Sequence, residues 1–133
     1  MNLRLKTDLD VETKLNELQN LLQLSSKAAV MRLAIAFSIK EHTDPRIYNG
    51  DVVHYDIRKQ NGADYNRFTI YGDDELFYKL QMEESMKCYF PDEEFFPELT
   101  SAHISRGIKK LYSDVKLAGT KEKFLKKVIN LKR

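Results

Sequence analysis

The sequence predicts a mainly α-helical chain that opens on one short strand. Apolar residues recur at steps of three and four along much of its length, which places them on single helix faces. Period-two alternation marks the start, in Leu3-Arg4-Leu5-Lys6. The 133 residues fit one domain, and their 42% apolar and 32% charged content is too apolar for a disordered chain.

In the opening strand Leu3 and Leu5 face a core while Arg4 and Lys6 face outward. Thr7 or Asp8 can cap the helix that follows, with Asp10 and Glu12 in the first turn, where the helix dipole favours negative charge. Val11, Leu15, Leu18 and Leu22 stack on one side of it. Ser25 and Ser26 break that pattern and can cap a second helix, from about Ser26 to His42. Between Ala28 and Phe37 only Arg32 is polar, so this helix must be covered on most sides. A second copy of the chain could cover it, and so could the rest of a monomer. Arg32 is expected to serve structurally, pairing at a subunit contact or reaching the surface along its stem.

Pro45 and Gly50 end the helical signal, and residues 46–63 read as an excursion holding an extended segment and closing on Asn61-Gly62. Tyr65 to Tyr71, aromatic and β-branched, predicts a strand or extended stretch. Asp73-Asp74-Glu75 then opens a helix to about Met86, with Leu76, Phe77, Leu80 and Met82 turned inward. Cys88 to Pro97 is aromatic and proline-broken, and Asp92-Glu93-Glu94 within it suits the start of the next helix, Glu98 to Tyr112. Gly119-Thr120 precedes a last basic helix, Lys121 to Leu131, carrying Phe124, Leu125, Val128 and Ile129 on one stripe. The organisation expected is a body over residues 1–115 and a basic helical extension over residues 116–133.

Charge is distributed unevenly. Met1 to Lys40 carries six basic and four acidic residues, Glu41 to Thr100 six and fourteen, and Ser101 to Arg133 ten and two. Two basic ends that can approach phosphates thus flank an acidic middle that should avoid them. Cys88 is the sole cysteine, which excludes an intrachain disulfide and a multi-cysteine metal site. A reducing cytoplasm is the expected location, with no secretory signal and no membrane partner.

Catalytic signatures are scarce. No glycine-rich phosphate loop, nucleophile elbow or paired zinc-binding histidines occur. His42, His54 and His103 stand far apart in sequence, and Asp73-Asp74-Glu75, the one cluster a magnesium-dependent nickase could use, reads better as a helix start. No cofactor and no catalytic centre are expected. Binding residues are easier to find. A strand with outward cations, an amphipathic helix, a tight turn and a mostly apolar helix follow the order of a ribbon-helix-helix unit, in which two chains pair their strands and the open face meets DNA. The fold class is therefore mainly α, with a ribbon-helix-helix-like N-terminal unit, further helices and an oligomeric state. Arg4 and Lys6 would lie on the ribbon, and Ser25, Ser26 and Lys27 at a helix N-terminus suited to a phosphate. Arg106, Lys109 and Lys110 form a basic turn beside Gly107, which permits close helix packing. Lys121, Lys123, Lys126 and Lys127 make the extension a phosphate grip or a solvated helix.

Three blocks resemble one family. Leu18 to Glu41, ending Arg32-Leu33-Ala34-Ile35-Ala36-Phe37-Ser38-Ile39-Lys40-Glu41, looks like the second helix of the DndE family of DNA sulphur-modification proteins. Asn66-Arg67-Phe68-Thr69-Ile70-Tyr71-Gly72 and Ala102-His103-Ile104-Ser105-Arg106-Gly107-Ile108 are similar to two further family segments, and the resemblance spans residues 3–112. Gln23-Leu24-Ser25-Ser26 departs from the family's usual glycine-containing turn, and Ser105 stands where asparagine is usual. The resemblance implies a non-catalytic homo-oligomer, a tetramer, that binds DNA, nicked duplex in particular. It works with the other proteins of the sulphur-modification complex, which supply the chemistry. Other readings to be tested are a ribbon-helix-helix repressor reading bases through Arg4 and Lys6, a nickase using Asp73, Asp74 and Glu75, and an adaptor holding partner proteins through the acidic middle.

Overall fold

The computed structural model describes residues 3–131, the last two by backbone alone. Strand β1 (Arg4–Lys6) leads into helices α1 (Leu9–Leu22) and α2 (Lys27–Ile39), in the order the sequence predicts. Asp8 caps α1 by accepting from the Val11 N–H, and Ser26 caps α2 by accepting from the Ala29 N–H. Gln23 closes α1 with a left-handed φ of 56°, a conformation glycine adopts more readily.

α2 is covered within the single chain. Val30, Met31, Ala34 and Ile35 are fully buried, and α1, α3 (Arg67–Tyr71), α4 (Glu75–Met86) and α5 (Thr100–Ala118) pack around them. The long apolar run therefore marks a central helix rather than a surface awaiting a second copy. Gly107 makes the closest approach: a Cβ there would stand 1.9 Å from the Ala34 carbonyl oxygen, so only glycine lets α5 meet α2. Arg32 donates to the Ile70 carbonyl at 2.8 Å and fastens α2 to α3, a structural role inside the chain.

β1 pairs antiparallel with β4 (Asp64–Asn66), setting Leu5 opposite Tyr65. The Tyr65 hydroxyl donates to the buried Glu12 carboxylate at 2.7 Å. Glu12 also accepts from Thr7 at 2.7 Å and pairs with Lys27 at 3.3 Å. On the opposite edge of β1, the Lys6 N–H donates to the Tyr55 hydroxyl at 2.9 Å. Both edges are thus engaged within one chain, which corrects the expected pairing of β1 with a second copy. Hydrogen bonds to residues 63–67 take the place of the cross-subunit ladder.

The excursion after Pro45 contains a hairpin of β2 (Ile47–Tyr48) and β3 (Asp51–Val52), turned by Asn49 and Gly50 at φ 52° and 85°. Of Tyr65 to Tyr71, Tyr65 and Asn66 lie in β4 as expected, whereas Arg67 to Tyr71 is helical. Asn66 accepts from the Phe68 N–H and starts α3 at Arg67. α4 also turns the other way. Met82 and Ser85 are buried and Tyr78 lies against Tyr71, whereas Leu76, Phe77 and Leu80 are 67%, 58% and 53% exposed. The pairing of Glu75 with Arg67 fixes this rotation, because Glu75, Tyr78, Met82 and Ser85 share the opposite face.

An irregular helical segment, Glu94–Leu99, contains extended backbone at Phe96 and a cis Phe96–Pro97 bond and leads into α5. α5 continues to Ala118, past the end expected at Tyr112, and the break before the last helix falls at Gly119, where the sequence places it. α6 (Lys121–Leu131) has the predicted span and stacks Phe124 on Phe37, with ring centroids 6.1 Å apart. Val128 is half-buried beside it, and Leu125 and Ile129 are exposed. Lys132 and Arg133, counted in the basic extension, lie outside the described residues. Among the described residues no single helix is long and apolar enough to cross a membrane.

Candidate nucleic-acid interface

Two arginines hold five of the fourteen acidic residues in the middle of the chain. Arg67 makes paired hydrogen bonds to Glu75 and to Asp92, with nearest distances of 2.5 and 2.6 Å, and its guanidinium lies 5.0 Å from the Phe96 ring centroid. Its hydrogen bond holds the Asp92 carboxyl below the usual range. Arg46 reaches Asp44 at 2.7 Å, Glu94 at 2.6 Å and Glu98 at 3.3 Å. Glu98 also meets His54 at 2.6 Å. Together these pairs fasten the aromatic, proline-broken segment to the body. Asp92 and Glu94 therefore act as ion-pair partners, beyond the helix-starting role their run suggested.

The predicted site residues divide sharply. Arg4 pairs with Asp64 at 3.1 Å and lines a cavity with Asp56, Glu93 and Glu98, so it faces carboxylates rather than an open basic surface. Lys6 is half-buried on the same strand. Ser26 spends its hydroxyl on the α2 cap and Lys27 its ammonium on Glu12, while Ser25 is exposed. Arg106 is fully committed at the end of α2. It donates to the Ser38 hydroxyl and carbonyl and to the Thr43 hydroxyl and carbonyl, and pairs with Glu41 at 2.8 Å. The basic turn read from Arg106, Lys109 and Lys110 therefore splits, since Lys110 stands 4.0 Å from Glu41 and Lys109 has no carboxylate at ion-pair distance among the described residues.

His103, beside Arg106, is buried with its Nδ1 2.8 Å from the Ser38 hydroxyl. Burial, and next the Arg106 charge, push its pKa down to about 3, so it stays neutral. Its Nε2 has no hydrogen-bond partner among the described residues. Asp73 and Asp74 are exposed and Glu75 is held by Arg67. No group of three His, Cys, Asp or Glu side chains converges among the described residues.

A basic strip forms where α1 and α5 run side by side. Lys14 and Lys116 each place their ammonium 5.6 Å from the Tyr112 ring centroid. Lys14 pairs with Asp10 and Lys116 with Glu17, at 2.8 and 2.9 Å. Lys109, Tyr112 and Lys116 occupy one stripe of α5, at steps of three and four. Past Gly119, α6 adds further lysines, of which Lys121 donates to Gln23 at the end of α1 at 3.4 Å. Lys123, Lys126 and Lys127 are exposed and make no ion pair among the described residues. Lys14 was not singled out from sequence, and Lys116 only as the first cation of the basic extension. Their meeting across Tyr112 joins positions about a hundred residues apart, and no local spacing announces it.

Residues 4–119 match the family model described as DNA sulphur modification protein DndE. No curated protein matches the chain. With the match covering most of its length, the chain belongs to the DndE family, and that membership supports a role in DNA sulphur modification.

Proposed function

We propose that this chain is a non-catalytic DNA-binding subunit of the sulphur-modification machinery and works in the cytoplasm. It grips duplex DNA along the lysine strip of α1, α5 and α6. The observation that carries this reading is the strip itself, in which Lys109, Lys14 and Lys116 line up on one face, with α6 adding three exposed lysines that hold no ion pair among the described residues. Lys109 and Lys116 are about 10 Å apart along the α5 axis. That matches roughly three nucleotides at the 3.4 Å rise of a strand. The preference for nicked duplex rests on the family resemblance, as does the assignment of sulphur chemistry to partner proteins of the complex.

The chain assembles as a homo-oligomer, a tetramer by the same resemblance. α4 supports this by presenting Leu76, Phe77 and Leu80 to solvent, with Phe68 of α3 exposed as well. Mass in solution above that of one chain is expected, and Leu76→Asp with Leu80→Asp should lower it. The repressor reading loses its base, because Arg4 faces acidic groups.

A mobility assay on nicked and intact duplexes across a salt series tests the DNA reading. Binding should weaken steeply with salt. Replacing Lys14, Lys109 and Lys116 together with glutamine should weaken it further and flatten the salt dependence. Duplex binding that is absent, or indifferent to salt, would overturn the proposal.

A further inference from the structure

The excursion after Pro45 builds a concavity that the lysine strip alone does not explain. The β2–β3 hairpin stands off α5 and leaves a cleft of about 470 Å³, within the size range of small-molecule sites. Pro45, Ile47, Tyr48 and Val53 form one wall, and Ala102, Ser105 and Lys109 the other. A second cavity of about 270 Å³ adjoins it, sharing Val53, Ser105 and Lys109 and adding the Ser101 hydroxyl.

Three features give the cleft a chemical character. Tyr48 is 72% exposed and makes neither a ring contact nor a hydroxyl hydrogen bond among the described residues. Ile47 and Val53, also more than half exposed, extend an apolar surface beside it. Lys109 brings a cation without a carboxylate at ion-pair distance among the described residues, since nearby Asp10 is taken by Lys14. Ser101, Ser105 and Lys109 follow at steps of four on the α5 stripe that continues to Tyr112 and Lys116. The cleft is therefore the end of the lysine strip, and Lys109 belongs to both.

We propose that this cleft receives one unstacked nucleotide of the bound DNA strand, its base against Tyr48 and its phosphate at Lys109. An exposed aromatic face stacks any base without regard to sequence, and a lysine at its edge neutralises the adjoining phosphate. A base at a strand interruption has lost covalent continuity on one side and leaves the stack more cheaply than one in intact duplex. The inference rests on the DNA-binding reading and adds the place where an interruption is felt.

The test uses the full chain and a nicked duplex carrying 5-iododeoxyuridine beside the nick, with an intact duplex of the same sequence as control. Irradiation should cross-link the hairpin, mapped by mass spectrometry to Tyr48 or its neighbours, on the nicked duplex only. Tyr48→Ala, at an exposed position that leaves the fold intact, should weaken nicked-duplex binding roughly tenfold and spare intact duplex. Lys109→Gln should weaken both, because it serves cleft and strip. Unchanged nicked-duplex affinity in Tyr48→Ala, with cross-links elsewhere, would overturn the cleft and leave the DNA reading standing. No duplex binding by the unsubstituted chain would remove that reading and the cleft with it. A free deoxynucleoside monophosphate forms the last arm. Saturable binding of it that Tyr48→Ala abolishes, with DNA affinity unaltered, would assign the cleft to a free nucleotide and overturn the DNA occupant.

Discussion

Arg46 and Arg67 in the middle of the chain, and Lys123, Lys126 and Lys127 near its end, carry the same sign of charge in opposite circumstances. The arginine side chains are 11% and 8% exposed and each holds at least two carboxylates. The lysines stand in solvent with no ion pair among the described residues. The middle holds fourteen acidic residues against six basic ones, yet several of those acids are spent on internal clamps. In the C-terminal third ten basic residues face two acidic ones, and of the eight cations among the described residues only Arg106, Lys110 and Lys116 meet a carboxylate. Net charge along a sequence thus says little about a binding face until the internal pairs are subtracted. What remains after subtraction is densest along α5 and α6, where Lys109, Lys121, Lys123, Lys126 and Lys127 hold no ion pair among the described residues.

The close approach of α5 to α2 should be the most sensitive place. Gly107→Val would push α5 off the Ala34 backbone and is expected to lose roughly 4 kcal/mol or more of stability, read by denaturant unfolding. Arg67→Ala comes next. It leaves Glu75 and Asp92 facing each other without their shared cation beside Phe95 and Phe96, at an expected cost of about 2–4 kcal/mol, moderated by the partial exposure of both carboxylates. If Arg67→Ala unfolds no more easily than the unsubstituted chain, the contrast between structural arginines and available lysines breaks.

Acid should sharpen the contrast from another side. Above pH 6.5 His103 is neutral in folded and unfolded chains alike. Below it the unfolded chain takes up a proton that the folded one refuses until about pH 3. The unfolded state therefore binds more protons in that window, and stability falls with falling pH by about 1.4 kcal/mol per unit at most. His103→Asn should flatten this dependence between pH 6.5 and 5.5 in a series of unfolding curves. A dependence unchanged by the substitution would show that the Ser38–His103 pair is not sealed from water.

Much of this architecture was legible in the sequence, though not evenly. The opening strand, α1, α2 and α6 follow from spacing and capping residues, because each is decided by neighbours within one or two turns. The rotation of α4 was not legible. Leu76, Phe77 and Leu80 look like a core stripe, and the pair that turns them outward joins Glu75 to Arg67 eight residues upstream. The β2–β3 hairpin had a local signal in Asn49-Gly50, the dipeptide that favours a two-residue turn, but its strands are two residues long and show no alternation. Of the candidate site, the cations of α6 and Lys109 were visible as charge. The commitments of Arg4, Lys27 and Arg106 required the tertiary fold, since each partner lies at least fifteen residues away in the sequence.

The smallest expected change in stability accompanies the clearest statement about function. Replacing Lys123, Lys126 and Lys127 together with glutamine should alter stability by less than about 0.5 kcal/mol, because these side chains are exposed and hold nothing internal. Phe124 and Val128 would still seat α6 beside Phe37. Each phosphate contact adds about 0.9 to the slope of log affinity against log salt, so losing three contacts should reduce the slope by up to roughly 2.7. The measurement separates two roles for a helix that lies beyond the matched residues 4–119. A slope that falls while the unfolding midpoint stays fixed makes α6 an auxiliary grip added to the family body. A slope that does not move makes it a helix that packs one stripe and solvates the other, and confines DNA to the strip of α1 and α5.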